Sequence, residues 1–207
     1  MKVYKITLYV SLIVFAILTV LSVVLNFWNE NEWIAFVVNW CVGIACSIVV
    51  VIITTLIQFK VEQKKAINKL VLIARALIFH NELFGSIYAS GVVRNADTVT
   101  YLDKIENNWR NSLKEDMDKA SAVLMELEFF FKNPALLKML KLSNAFKISQ
   151  FDKSEKNYEI EAKLLENEYE KVTATIVDFA ETAVSLKVTG YGEEEIEKYI
   201  LDYRSKL

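Results

Sequence analysis

Proline occurs once in this 207-residue chain and glycine five times, so little in it forces the backbone out of a helix. No stretch alternates polar and apolar residues in the way a half-buried strand does. Only two cysteines are present, Cys41 and Cys46, both within one apolar stretch and expected on one helix. So placed they cannot staple a secreted domain, and they read as small packing residues. Histidine occurs once, at His80. No glycine-rich loop is present to cradle a phosphate, and no Cys/His spacing suits a metal ion. A serine triad would have to take His80 as its base, with no nucleophile elbow near it. Neither a cofactor nor a metal is expected.

The most informative absence is charge. No ionised side chain occurs from Ile6 to Asn29, or from Trp33 to Phe59, in a chain that is 54% hydrophobic. A helix needs about 20 mostly apolar residues to cross about 30 Å of hydrocarbon, where an ionised group at its centre costs roughly 2.5 to 3.5 kcal/mol. Both stretches are long enough. Lys2 and Lys5 ahead of an apolar run also suit a secretory signal peptide, but such a peptide has a shorter core and a small-residue cleavage site. Here Val24, Leu25, Asn26, Phe27 and Trp28 close the run, which reads as an uncleaved anchor. Residues 1–58 are therefore expected to form a two-span transmembrane hairpin.

Lysine placement sets the expected orientation. Lys2 and Lys5 flank the first span and Lys60, Lys64 and Lys65 follow the second, whereas the connection "NFWNENE" has none. Positive residues stay on the cytoplasmic side, so both termini are expected in the cytoplasm, with Glu30 and Glu32 on a short outer loop bracketed by Trp28 and Trp33. Of 24 basic and 26 acidic residues, Lys2, Lys5, Glu30 and Glu32 precede Phe59, leaving 22 basic and 24 acidic residues beyond it. That balance lacks the basic excess from which non-specific nucleic-acid binding draws most of its affinity. No DNA partner is expected.

Residues 59–207 read as a helical domain. The second span continues without proline to Gly85, so one helix is expected to serve both parts and to couple them mechanically. Gly91 to Asp97 is a turn. Thr98 through Phe131 places Leu102, Ile105, Trp109, Leu113, Met117, Ala120, Leu124 and Leu127 near helical spacing. Asn133 and Pro134 suit an N-cap and a first helical position, opening a shorter helix to about Phe146. After a loop, Asp152 and Glu155 have capping-box spacing before a helix to about Val188, with Gly190 as its cap. A last helix, Glu193 to Lys206, runs from acidic to basic, as the helix dipole favours. The fold class is all-α: two N-terminal transmembrane helices, then a cytoplasmic bundle of four or five helices.

Polar and small residues in the spans are not scattered. At about 100° per residue, Asn39, Gly43, Cys46, Ser47 and Thr54 share about a third of the second helix's circumference, and Thr7, Ser11, Thr19, Ser22 and Asn26 do the same in the first. Such faces let helices approach closely in lipid. They equally suit a water-lined pore formed by several copies, with Asn39 or Asn26 toward the lumen and Glu30 and Glu32 as acidic girdles at the outer mouth, where they would favour cations.

The stretch "RALIFH", Arg75 to His80, matches the R-x4-H signature of HEPN ribonucleases. Histidine moves protons near neutrality and arginine stabilises charge on a phosphate in flight. On a continuous helix, residues five apart point about 140° away from each other, so joint action needs a helix break or a neighbouring subunit. The position after the arginine, usually polar in active members, is Ala76. Arg94 and Arg110 each precede an asparagine, Asn95 and Asn111, but neither has a histidine at the matching distance. The competing reading for His80 is a helix-surface side chain held by a carboxylate or a backbone carbonyl, and for Arg75 a bundle-bridging or headgroup contact.

In overall plan and in the Arg75/His80 motif, the chain resembles the membrane-bound accessory proteins of type VI-B CRISPR systems, which join N-terminal spans to a divergent HEPN-like helical domain. The resemblance implies an antiviral effector of the bacterial inner membrane that assembles into a homo-oligomeric ring, an octamer by that analogy. The ring would act as a pore, depolarise the membrane and strengthen the defence begun by the RNA-guided ribonuclease of the same system. It further implies that the degenerate motif serves assembly, or sensing of RNA or a partner, with catalysis secondary or absent. A membrane-tethered ribonuclease and a passive scaffold for a defence partner are the two alternatives.

Overall fold

A computed structural model describes residues 2–27, 32–90, 97–128, 133–146, 158–186 and 193–205. They form six helices: α1 (Lys2–Phe27), α2 (Glu32–Ala89), α3 (Val99–Glu128), α4 (Pro134–Ala145), α5 (Tyr158–Ser185) and α6 (Glu193–Ser205). No strand occurs among the described residues. The expected all-helical class is therefore what the chain adopts, and its long second helix runs unbroken past the end of the apolar stretch. Trp28 and Glu30 of the expected outer loop, Arg94, Phe129 to Phe131, the expected capping pair Asp152 and Glu155, and Gly190 lie outside the described residues.

The chain divides into two compact units, Met1–Lys65 and Ala66–Leu207. In the first, α1 and the first part of α2 are long and apolar enough to cross a membrane. Only the four residues 28–31 separate them, so their packing in one compact unit makes an antiparallel hairpin; at its end the Lys65 ammonium is held above its ordinary pKa by a 2.8 Å bond to Glu62. One seam joins the pair. Along α1 the partly covered positions include Tyr4, Leu8, Ser11, Phe15, Leu18, Ser22 and Leu25; along α2 the covered positions include Ile34, Val38, Cys41, Ala45, Ile48, Ile52 and Thr55. Both runs step alternately by three and four residues, the 3.5-residue period that keeps a helix seam against its partner through a left-handed supercoil. Most other apolar side chains of the hairpin are exposed, among them Ile13, Ile17, Val20, Trp40 and Val50. In water such a surface would aggregate, whereas in lipid it costs nothing.

In the second unit, the C-terminal part of α2 is the central element. The run Leu70, Ala74, Leu77, Asn81 and Phe84 is buried, again at alternating spacings of four and three. His80 bonds Asp116 and Phe84 stacks on Trp109, so α2 and α3 run in opposite directions. Asn81 meets Thr173 while Tyr88 reaches Ala162, so α2 and α5 are opposed as well. Of the positions expected to line α3, Trp109, Leu113, Met117, Ala120, Leu124 and Leu127 are buried, and Leu102 and Ile105 partly so. Each large apolar side chain so buried contributes roughly 1.5 to 3 kcal/mol. Asn133 caps α4 as expected: its Oδ1 accepts from the Ala135 amide at 2.9 Å, and Pro134 fills the first turn. α4 packs between α3 and α5, and α6 packs on α5.

Candidate functional site

Two groups of residues bear on function, one in each unit. In the hairpin, the small and polar face of α2 points away from α1. Asn39, Gly43, Cys46, Ser47 and Thr54 are all exposed, and on a helical wheel they centre opposite the covered seam at Cys41, Ala45 and Ile48. A Cβ added at Gly43 would meet nothing within 4 Å. The corresponding face of α1 behaves differently. Thr7, Ser11 and Ser22 are partly covered, whereas Thr19 and Asn26 are exposed. The polar face of α1 thus lies in part along the pair's own seam, and that of α2 lies open.

Five hydroxyls in these helices are satisfied locally. Thr7, Thr19 and Ser22 of α1, and Ser47 and Thr54 of α2, each donate to the carbonyl four residues earlier, at 2.8 to 3.0 Å. They can therefore face hydrocarbon or another helix at little cost. The amides of Asn26 and Asn39 cannot close such a bond so readily, and neither bonds another described residue. An amide in hydrocarbon without a partner costs several kcal/mol.

In the bundle, α2 delivers Arg75 and His80 to different neighbours. His80 Nδ1 lies 3.1 Å from Asp116 Oδ2 of α3, while Arg75 lines a cavity of about 370 Å³ with Glu82, Tyr199 and Asp202. His80 does not line that cavity. The angular offset of residues five apart on an unbroken helix sends the two side chains to separate sides, so one chain does not bring the motif together. Asp116 is itself held by Lys119 at 3.3 Å, and Lys119 also bonds Glu115 at 2.9 Å. That contact raises the Lys119 ammonium pKa and lowers the Glu115 carboxyl pKa. A histidine paired with a buried carboxylate is an oriented base, but no hydroxyl or thiol bonds it among the described residues.

Arg110, which like Arg94 resembles the front of the motif, is buried and fully engaged. Its guanidinium bonds Glu106 at 2.7 and 3.0 Å and grips both oxygens of Glu168 on α5. Two carboxylates on one guanidinium leave no room for a phosphate. Next to it Asn81, wholly buried, donates to Thr173 at 2.8 Å and to the Tyr199 hydroxyl at 3.4 Å, and accepts from the Trp109 indole at 3.3 Å. Burial pushes the Tyr199 phenol up to about 12. Among the described residues no cluster of His, Cys, Asp and Glu could hold a metal ion.

The chain matches no protein-family model, no curated protein and no solved structure. Its function is accordingly argued from the two groups just described. Sequence reasoning singled out Arg75 and His80 but missed Asn81, Glu106, Asp116 and Glu168. One signal was available for Asn81: it falls on the apolar register set by Leu70, Ala74, Leu77 and Phe84, where a polar residue must find partners. Nothing local marks Glu168 as the partner of Arg110, because the two are 58 positions apart.

Proposed function

We propose that the chain is a two-span protein of the bacterial inner membrane, with both termini cytoplasmic, whose copies assemble into a ring and open a pore that depolarises the membrane. The observation that carries this reading is the open face of α2 bearing Asn39, Gly43, Ser47 and Thr54, which the hairpin itself leaves uncovered. Small residues there permit close helix approach, and the Asn39 amide gains a partner or water only when another copy arrives. A single hairpin cannot enclose a lumen, so conduction needs several.

In the same proposal the bundle is a HEPN-like domain reused for assembly or for sensing RNA or a partner. The ring then reinforces the defence begun by an RNA-guided ribonuclease of a type VI CRISPR system, with which this chain acts as a membrane partner. Two findings favour this non-catalytic use: Arg75 and His80 diverge, and Arg110 is closed off by Glu106 and Glu168. The acidic pair Glu30 and Glu32 favours cations at the outer mouth.

Particle images of the detergent-extracted protein, together with a potential-sensitive dye in liposomes, test the reading. A closed ring with an axial opening and collapse of the imposed potential are expected. Monomers at every concentration, with liposomes that stay sealed, would retire it. RNA cleavage lost on His80→Ala while the potential holds would instead support the tethered ribonuclease. Unchanged ion selectivity after Glu30→Gln and Glu32→Gln together would remove the cation preference.

A further inference from the structure

A second cavity in the bundle, of about 700 Å³, lies between α2, α5 and α6. Its volume falls in the range of small-molecule sites. Three carboxylates, Glu82, Glu170 and Asp202, and three phenols, Tyr169, Tyr199 and Tyr203, line its wall; among the described residues no lysine or arginine does, though Arg75 and Lys198 line the adjoining cavity, which shares Glu82, Tyr199 and Asp202. Glu82 and Glu170 are exposed and form no hydrogen bond or ion pair with a described residue. Two of the phenols are held in place: Tyr169 packs on Phe84 and Trp109, and the Tyr199 hydroxyl accepts from the buried Asn81. Phenol faces attract cations through the negative face of the ring, and carboxylates add directional hydrogen bonds to N–H donors. A single ammonium would neutralise one carboxylate and leave most of the space empty. The volume and the separate acids suit a longer molecule, with methylenes against the rings and a charge at each end.

We infer that this cavity binds an aliphatic polyamine, a flexible chain carrying two or more ammonium groups. The inference stands independently of the pore reading, since the whole cavity belongs to the second compact unit. Calorimetric titration of spermidine into the full chain, in uncharged detergent at low ionic strength, tests it. Saturable binding is expected. Glu82→Gln with Glu170→Gln weakens it about tenfold or more, the loss of one good charge contact being worth about that factor. Both residues are exposed, so the variant keeps its helicity and melting temperature. Glu126→Gln, an exposed carboxylate on α3 that does not line the cavity, leaves the affinity unchanged. Absence of saturable heat overturns the inference, as does an equal loss in the Glu126 variant, which would mark attraction to bulk charge. Tighter binding of a lysine tripeptide than of spermidine also overturns it, in favour of a protein's basic side chain.

Discussion

Replacing Gly43 by leucine separates the hairpin from the assembly it is proposed to build. Within one chain the new side chain meets nothing within 4 Å at its Cβ, and leucine is a better helix former than glycine by up to about 1 kcal/mol. The single chain is therefore expected to keep or slightly gain stability. Between copies the balance reverses. An extra side chain at a close helix contact costs about 1 to 3 kcal/mol, which at 1.4 kcal/mol per decade weakens each contact roughly 5- to 150-fold. Cys46 provides the assay, because it is exposed on the same face while Cys41 is buried in the hairpin seam. A thiol cross-linker should couple copies through Cys46 in the wild-type chain and lose most of that product in Gly43→Leu, along with the ring in particle images. Val42→Leu, exposed but off the face, should leave both intact. If Gly43→Leu cross-links and assembles like the wild type, the open face of α2 is not the contact surface and the reasoning fails.

Further outcomes follow from the bundle. Arg110→Met leaves the Glu106 and Glu168 carboxylates buried without a counter-charge, an expected loss of about 3 to 5 kcal/mol; adding Glu106→Gln and Glu168→Gln should recover much of it in thermal melts. Gly85→Ala drives a methyl into the Tyr169 hydroxyl, whose ring is wedged against Phe84 and Trp109. A loss of about 1 to 3 kcal/mol is expected, and in the Tyr169→Ala background the same substitution should cost far less. The Tyr199 phenol ionises near 10.0 in the unfolded chain and at about 12 in the fold, because burial disfavours the phenolate. Its contribution to stability is therefore intact below pH 10 and lost as pH rises toward 12, at no more than about 1.4 kcal/mol per pH unit. Tyr199→Phe should flatten denaturation midpoints across that window, and an unchanged alkaline slope would refute the assignment.

Much of the helical plan was legible in the residues because it rests on local physics. Charge-free runs longer than a bilayer, scarce helix breakers and the Asn133–Pro134 start all act over a turn or two, and α1, α2 and α4 follow from them. The candidate site was only partly legible. The six-residue pattern located Arg75 and His80, and the helical angle alone foretold that they would diverge, but the identity of their neighbours depended on which helices pack on either side.

Amino-acid order by itself determined the two apolar helices, the helical class and the polar faces on α1 and α2, since hydropathy and a 3.6-residue turn act along one segment. Only the tertiary structure decided which polar face is covered. Ser11 and Ser22 fall on the seam of the hairpin while Asn39, Gly43 and Ser47 fall outside it, a choice made by how two helices rotate against each other. It likewise decided that His80 meets Asp116, that Arg110 is clasped by Glu106 and Glu168, and that Asn81 joins α2 to α3, α5 and α6. Most of these contacts join residues far apart in the chain, and their partners are set by the packing of whole helices.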